Sequence, residues 1–276
     1  MAEPFSLLLP VYGADAPAHL VRAFHSAVQE QTLVPDEVVL VRDGPVPTGL
    51  ASTIDELIAQ SPVVVTRVDL ARNVGLGEAL DAGLRACRHD VVARMDADDV
   101  SLPHRFAVQL PIIESGADLV GSGLLEFHDD ELHIVASRTP PVGEDEIRRR
   151  ARFIDPFNHP TVVYRRDVVQ SVGGYRHLPL MEDYWLFARM IEAGAHVANV
   201  AEPLVKYRVS HGAYARRGGL QLLRSELTLQ RHFVASGFVT RPQYVRNLVV
   251  RGGYRLVPHG IRRAAYRRVL AERSPG

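Results

Sequence analysis

The 276-residue chain has one cysteine, Cys87, and one lysine, Lys206. A lone cysteine leaves no partner for an intrachain disulfide and excludes a metal site built from several thiolates. With lysine so scarce, arginine carries almost all of the positive charge. No apolar run approaches the roughly 18 residues needed to span a bilayer. The run 5–11 is short and follows no basic stretch, so no secretory signal is read and the expectation is a cytoplasmic protein. Internal repeats and low-complexity segments are also missing. A net excess of either charge is missing too, with 32 Lys+Arg against 32 Asp+Glu. That zero hides an asymmetry: residues 241–276 hold nine arginines and one acid, Glu272, so residues 1–240 carry a compensating excess of eight negative charges. An acidic body with a basic tail points to a partner for the tail.

What is present is ordinary globular composition, 46% hydrophobic and 23% charged, enough for one large domain with an appendage. The first half alternates two patterns. Apolar runs at 5–11, 37–41, 63–68 and 90–95 read as buried strands. Segments 18–29, 54–58 and 76–87 have helical spacing, with Leu20, Val21, Phe24 and Val28 on one face of the first and Leu80 and Leu84 inward on the third. Strands this apolar, separated by helices, predict an α/β fold with a parallel sheet covered on both faces. Ligands of such sheets sit beyond the carboxyl ends of the strands, where Tyr12, Asp43, Asn73 and Asp96 would converge. The second half predicts strands at 118–127 and 132–137 with a turn at Asp129-Asp130, a short strand at 161–164, a helix at 181–193 and mostly helix over 213–236.

The fourth strand ends in Met95-Asp-Ala-Asp-Asp99. Three carboxylates in four positions raise one another's pKa unless a positive group joins them. An Asp-x-Asp offers hard oxygen ligands suited to Mg²⁺ or Mn²⁺. The same acids, helped by Ser101, would also cap a helix starting near Pro103. Asp43, before Gly44-Pro45, suits an Asx turn. Arg72-Asn-Val-Gly-Leu-Gly77 leads into a helix and suits backbone contact with a ligand. It is not a dinucleotide-binding loop, which would follow the first strand as GxGxxG. Glu182-Asp183 opens a helix, where acids are favoured by the helix dipole. Trp185 suits a core position as well as a stacking one.

The ordered set Leu8-Leu-Pro-Val-Tyr12, 37–44, Arg72-Asn-Val-Gly75, Met95 to Asp99, Gly173-Gly-Tyr175, Glu182-Asp183 and Tyr207-Arg208 resembles family 2 glycosyltransferases of the GT-A fold. The stretches ARMDADDVSLPHRFAVQ and NHPTVVYRR are similar to the subgroup that builds bacterial exopolysaccharides, including amylovoran-type enzymes. The resemblance covers roughly residues 4–215. It implies a GT-A domain over 1–215, with a nucleotide-binding half at about 1–100 and an acceptor half at about 101–215, followed by a helical, arginine-rich extension over 216–276.

The resemblance also implies roles. Pro10, Tyr12, Asp43, Asn73, Gly75, Arg94 and Asp96 would bind the donor nucleotide, Asp43 by accepting from the imide of uracil or thymine. Asp98, with Asp96 and His211, would hold Mn²⁺ or Mg²⁺ against the diphosphate. Asp183, beside Glu182, would be the general base of an inverting transfer from a nucleotide sugar, most simply a UDP-sugar. His159, Trp185 and Arg208 would face the acceptor or diphosphate. Asp81 departs from the subgroup, which often has Asn there, and adds an acid near the sugar pocket.

Two rival activities are a sugar nucleotidyltransferase and a nucleotide-sugar-binding subunit without catalysis. The first usually opens with a Gly-rich loop that Pro10-Val-Tyr-Gly13 lacks, and retention of both acid pairs weighs against the second. A nucleic-acid partner is not expected, because the basic tail lacks interleaved aromatic platforms. The tail suits contact with anionic lipid, each interfacial arginine adding about 1 kcal/mol, as an enzyme with a glycan or lipid-linked acceptor at the inner face of the cell membrane would need. A C-terminal helix pair packed on the domain is the alternative.

Overall fold

The computed structural model describes residues 3–209 and 220–252. Four strands, β1 (Phe5–Tyr12), β2 (Glu37–Asp43), β3 (Val64–Asp69) and β4 (Val91–Arg94), run parallel in the order β3-β2-β1-β4. Alternating side chains of β1 feed two cores, as the two-residue period of a strand requires. Leu7 and Leu9 pack with Leu20 and Phe24 of α1 (Pro17–Val28), Ile54 of α2 (Thr48–Gln60) and Phe106 of α4 (Arg105–Glu114). Leu8 faces the other way, toward Leu80 and Leu84 of α3 (Leu76–Ala86). Both faces of this half are therefore covered, as its unbroken apolar strands predict.

The sheet continues into the second half. β4 pairs antiparallel with β8 (Val163–Arg165), which leads to β6 (Leu119–Phe127), β9 (Val197–Arg208) and β5 (Val100–Ser101). β7 (Ile134–Arg138) forms a hairpin on β6. The 12-residue β9 has no counterpart in the sequence reading, because Glu202-Pro203 interrupts its apolar pattern. In the fold Pro203 lies opposite Gly123 where the register shifts, the kind of irregularity that tolerates proline. Helices α5 (Glu144–Ala151) and α6 (Arg166–Ser171) and a 3₁₀ turn (His159–Thr161) fill the connections.

A third core joins α7 (Glu182–Glu192) to α8 (Leu220–Ser236) around Tyr184, Leu229 and Phe233. α9 (Arg241–Asn247) follows, started by a reciprocal cap between Thr240 and Gln243. This corrects part of the lipid-facing reading of 241–276. Arg251 is packed into the protein, its Nε and Nη2 on Glu226 at 2.6 and 2.8 Å, and Arg246 lies 4.5 Å over the Phe153 ring. The arginines from 255 onward lie outside the described residues. Among those described, no helix is long and apolar enough to cross a membrane.

Candidate active site

The parallel strands deliver their ends to one crevice. Tyr12 ends β1 and is half exposed, while Pro10 is buried behind it. At the end of β2 the Asp43 carboxylate accepts from the backbone N–H groups of Val74 and Gly75 at 2.7 and 3.0 Å. Asn73 Nδ2 reaches the Asp43 carbonyl at 3.4 Å. The two loops touch so closely that a Cβ on Gly44 would lie 2.4 Å from the Asn73 nitrogen, and Gly44 has φ +83°. Only glycine meets both demands. Asp43, Asn73 and Gly75 are thus brought together as expected, with Asp43 also acting as the clasp of the 72–75 loop.

The three carboxylates after β4 have separate fates. Asp99 is fully buried and accepts the Arg208 backbone N–H at 2.8 Å; it fastens the loop to β9 rather than facing a ligand. Burial, then Asp96 and Asp98, pushes its pKa well above the usual carboxylate range. Asp96 pairs with Arg94. Asp98 is pushed up to about 6 by burial and by Asp96. Beneath them Arg105 is also fully buried, donating to the Arg94 carbonyl at 2.7 Å, Ser101 Oγ at 3.0 Å and Gln109 Oε1 at 3.1 Å. Burial, then Arg94, lowers its pKa to about 9. So α4 begins with a cation that supports the acidic loop, and the simple helix cap is not what forms: the helix start at His104 receives no side-chain cap.

Arg94 is the centre of the crevice. It is 1% exposed, and its Nε and Nη1 have no hydrogen-bond partner among the described residues. It lines a cavity of about 840 Å³ together with Asp96, Asp155, His159, Glu182 and Asp183. Burial holds the Asp183 pKa above the usual range, with Arg94 pulling it back. Glu182 is raised to about 7 by burial and by Asp183. His159 Nε2 lies 3.1 Å from the Tyr175 hydroxyl and Nδ1 lies 3.6 Å from Asp183 Oδ2; burial, then Arg94, keeps the ring neutral. The base candidate therefore sits in one pocket with the end of β4, although 87 residues separate Asp96 from Asp183 in the chain.

Two expected residues lie elsewhere. Trp185 stacks on His232 at 4.5 Å on a separate pocket between α7 and α8, because neighbouring helical positions point apart. The Arg208 guanidinium donates to the carbonyls of Asp98, His128 and Asp129 at 3.0, 3.1 and 3.2 Å, so it pins the acidic loop rather than reaching across the cavity. His211 lies outside the described residues. The added acid Asp81 pairs with Arg85 one turn along α3. Asp15 and Asp155 escaped the sequence reading. Asp15 accepts the Tyr12 N–H at 2.8 Å and is raised to about 7 by burial, with Asp98 and Asp96 adding to it. Asp155 accepts from Phe157 N–H at 3.0 Å and is raised by burial and by Asp183. Asp15, three residues beyond a strand end, carried a readable turn signal; Asp155 carried none.

Comparison with known proteins identifies the family. The profile of "Glycosyl transferase family 2" matches residues 6–173. The amylovoran biosynthesis glycosyltransferase AmsE of Erwinia amylovora is 38% identical over 92% of this chain and 94% of its own length. An Escherichia coli UDP-Gal:alpha-D-GlcNAc-diphosphoundecaprenol beta-1,3-galactosyltransferase is 32% identical over 96% of both chains. Among solved structures, S. aureus TarS 1-349 in complex with UDP-GlcNAc superposes with a TM-score of 0.67 at 15% identity, covering 89% of this chain and 70% of that one. The fold is the GT-A fold, and the chain belongs to glycosyltransferase family 2.

Proposed function

We propose that this enzyme transfers a sugar, with inversion, from a UDP-sugar to a hydroxyl of a lipid-linked acceptor in bacterial cell-surface polysaccharide assembly, working at the inner face of the membrane. The observation that carries the reading is the single cavity shared by Asp183 and the Arg94–Asp96 end of β4. Two relatives support the substrates: one is named for UDP-Gal and a diphosphoundecaprenol-linked acceptor, another for amylovoran biosynthesis.

In the reaction the acceptor oxygen attacks the anomeric carbon from the Asp183 side. Its proton passes to the Asp183 carboxylate as the bond from that carbon to the UDP oxygen breaks. Help of this kind contributes about 10²–10⁴ in rate. Burial raises the basicity of Asp183, while the Arg94 charge keeps it ionised.

Among the described residues no three His, Cys, Asp or Glu side chains gather closely enough to hold a metal unaided. A Mg²⁺ or Mn²⁺ site completed by substrate phosphates needs only one or two carboxylates. Asp96 and Asp98 fit that role, as their mutual repulsion is what a divalent ion relieves. When bound, the ion would neutralise the departing diphosphate.

Asp183→Asn tests the assignment. The expected result is a 10²–10⁴-fold fall in kcat with UDP affinity by calorimetry unchanged. Loss of UDP binding would move Asp183 to the donor side and refute the role of base.

A further inference from the structure

The wall of the cavity opposite the parallel strands comes from the C-terminal segment: Leu222 of α8 and Val250 and Arg251 beyond α9 line the same space as Asp183. A buried polar network holds this wall in place. Arg251 grips Glu226 with two nitrogens and donates Nη1 to the Phe153 carbonyl at 2.7 Å. Gln230 Nε2 donates to Glu226 at 3.1 Å, and Asn247 Nδ2 donates to Gln230 at 3.0 Å and to the Arg152 carbonyl at 2.9 Å. Glu226, Gln230 and Asn247 are all fully buried. Buried polar groups tolerate few arrangements, since each must be satisfied. The network therefore fixes the C-terminal segment against the 152–155 loop in one register.

The cavity has an exposed apolar edge. Asp155 and Asp183 lie within, while Ile154, Leu180 and Val250, which line the same space, are 47%, 50% and 55% exposed. Leu180 stands out further. Its φ is +66°, the only positive φ among the described non-glycine residues. A leucine held in that conformation is strained, and such strain gathers at ligand clamps. A polar residue or glycine would serve an exposed turn at lower cost. In sequence, the stretch 253–276 holds six arginines against Glu272 alone, a charge suited to phosphate.

We propose that Ile154, Leu180 and Val250 form a subsite for the hydrocarbon chain of an amphiphilic phosphate-bearing acceptor, whose reacting hydroxyl lies inward at Asp183. This deepens the reading of the function given above and rests on it. It commits to the acceptor's own chain as the occupant, because the rim is continuous with the cavity holding the base.

The test uses the full-length protein saturated with UDP, and two probes below micelle formation: decyl diphosphate and ethyl diphosphate. Binding by calorimetry is expected to be at least tenfold tighter for the decyl compound. In the triple variant Ile154→Glu, Leu180→Gly, Val250→Glu, that preference should fall to about twofold or less while UDP affinity stays unchanged. All three positions are half exposed, so folding should survive; Leu180→Gly alone, which relieves the backbone strain, provides a second variant expected to weaken only the decyl probe. Equal affinity of the two probes for the wild type, as expected if 253–276 or a bilayer covers the rim instead, overturns the proposal. So does a preference that survives the triple substitution. Failure of the wild type to bind UDP would strike the donor assignment instead, so the two failures are distinguishable.

Discussion

Replacing Arg251 by methionine should reveal how firmly the C-terminal segment is joined to the catalytic domain. Arg251 is only 15% exposed and Glu226 not at all, so the substitution strands a carboxylate in the interior. Removing one partner of a buried pair costs about 3–5 kcal/mol; the exposed-pair value, below about 1 kcal/mol, does not apply. The substitution also removes the contact of the guanidinium with the Tyr184 ring, now 5.4 Å away, and the hydrogen bond to the Phe153 carbonyl. The pair itself need not be net stabilising, because well-packed apolar replacements of both partners are often neutral. The double variant Arg251→Met, Glu226→Leu should therefore recover most of the loss. Thermal and denaturant unfolding of the four members of the cycle measure the coupling, and amide exchange over 220–251 shows whether opening is local. A single-variant loss under 1 kcal/mol, or a double variant no better than the single, would refute the claim that this pair closes the far wall.

Asp98→Asn should remove most metal-dependent transfer while the melting temperature holds or rises, since it relieves a crowded charge; activity that persists and ignores EDTA would restore a purely structural role for the loop. Gly44→Ala should lower both stability, by about 1–3 kcal/mol, and UDP affinity, because the new methyl meets the 72–73 backbone; a silent substitution in a thermal shift with UDP would sink the clasp. The acid limb of kcat should lie above the ordinary carboxylate pKa of about 4, because burial makes Asp183 hold its proton more tightly, and Arg94→Met should move the limb higher still. The same groups set stability in the absence of ligand. Glu182, raised to about 7, keeps its proton in the folded chain where the unfolded chain has lost it. Its contribution is therefore complete below about 4.5 and fades as pH rises to 7; a melting temperature that climbs steadily across that interval in an otherwise matched Glu182→Gln comparison would contradict it.

The nucleotide half was legible because its signals are local. Strands 5–11, 37–41, 63–68 and 90–95 are continuous apolar runs, and each observed strand falls within about two residues of them. The fold joins Asp43 to the 73–75 loop and brings Arg94 and Asp96 into one cavity with Asp183. What stayed hidden depends on three-dimensional partners. Strand β9 is irregular in sequence because its middle is a bulge against β6. Asp99 reads like its neighbours Asp96 and Asp98, yet its position in the loop turns it onto the β9 backbone. Trp185 sits two residues from the base candidate, but helical geometry carries it to another face. Arg251 read as one more lipid-facing cation of the tail because Glu226, its partner, lies 25 residues earlier.

The matched family profile ends at residue 173, before Glu182, Asp183 and the entire C-terminal wall. In the proposed reading the two halves have different tasks. The donor side would bind a nucleoside diphosphate with strand ends and short loops, a task that one scaffold can repeat for many sugars. The acceptor side must place one hydroxyl against the anomeric carbon, and an error of about 1 Å there can cost roughly 10²-fold in rate. A wall that could shift would lose that alignment. The buried network of Glu226, Gln230, Asn247 and Arg251 supplies the stiffness, and it does so through polar contacts that fit only one register. If Ile154 and Val250 hold the acceptor chain as proposed, acceptor choice would change through these exposed positions, while the network and Asp183 stay in place.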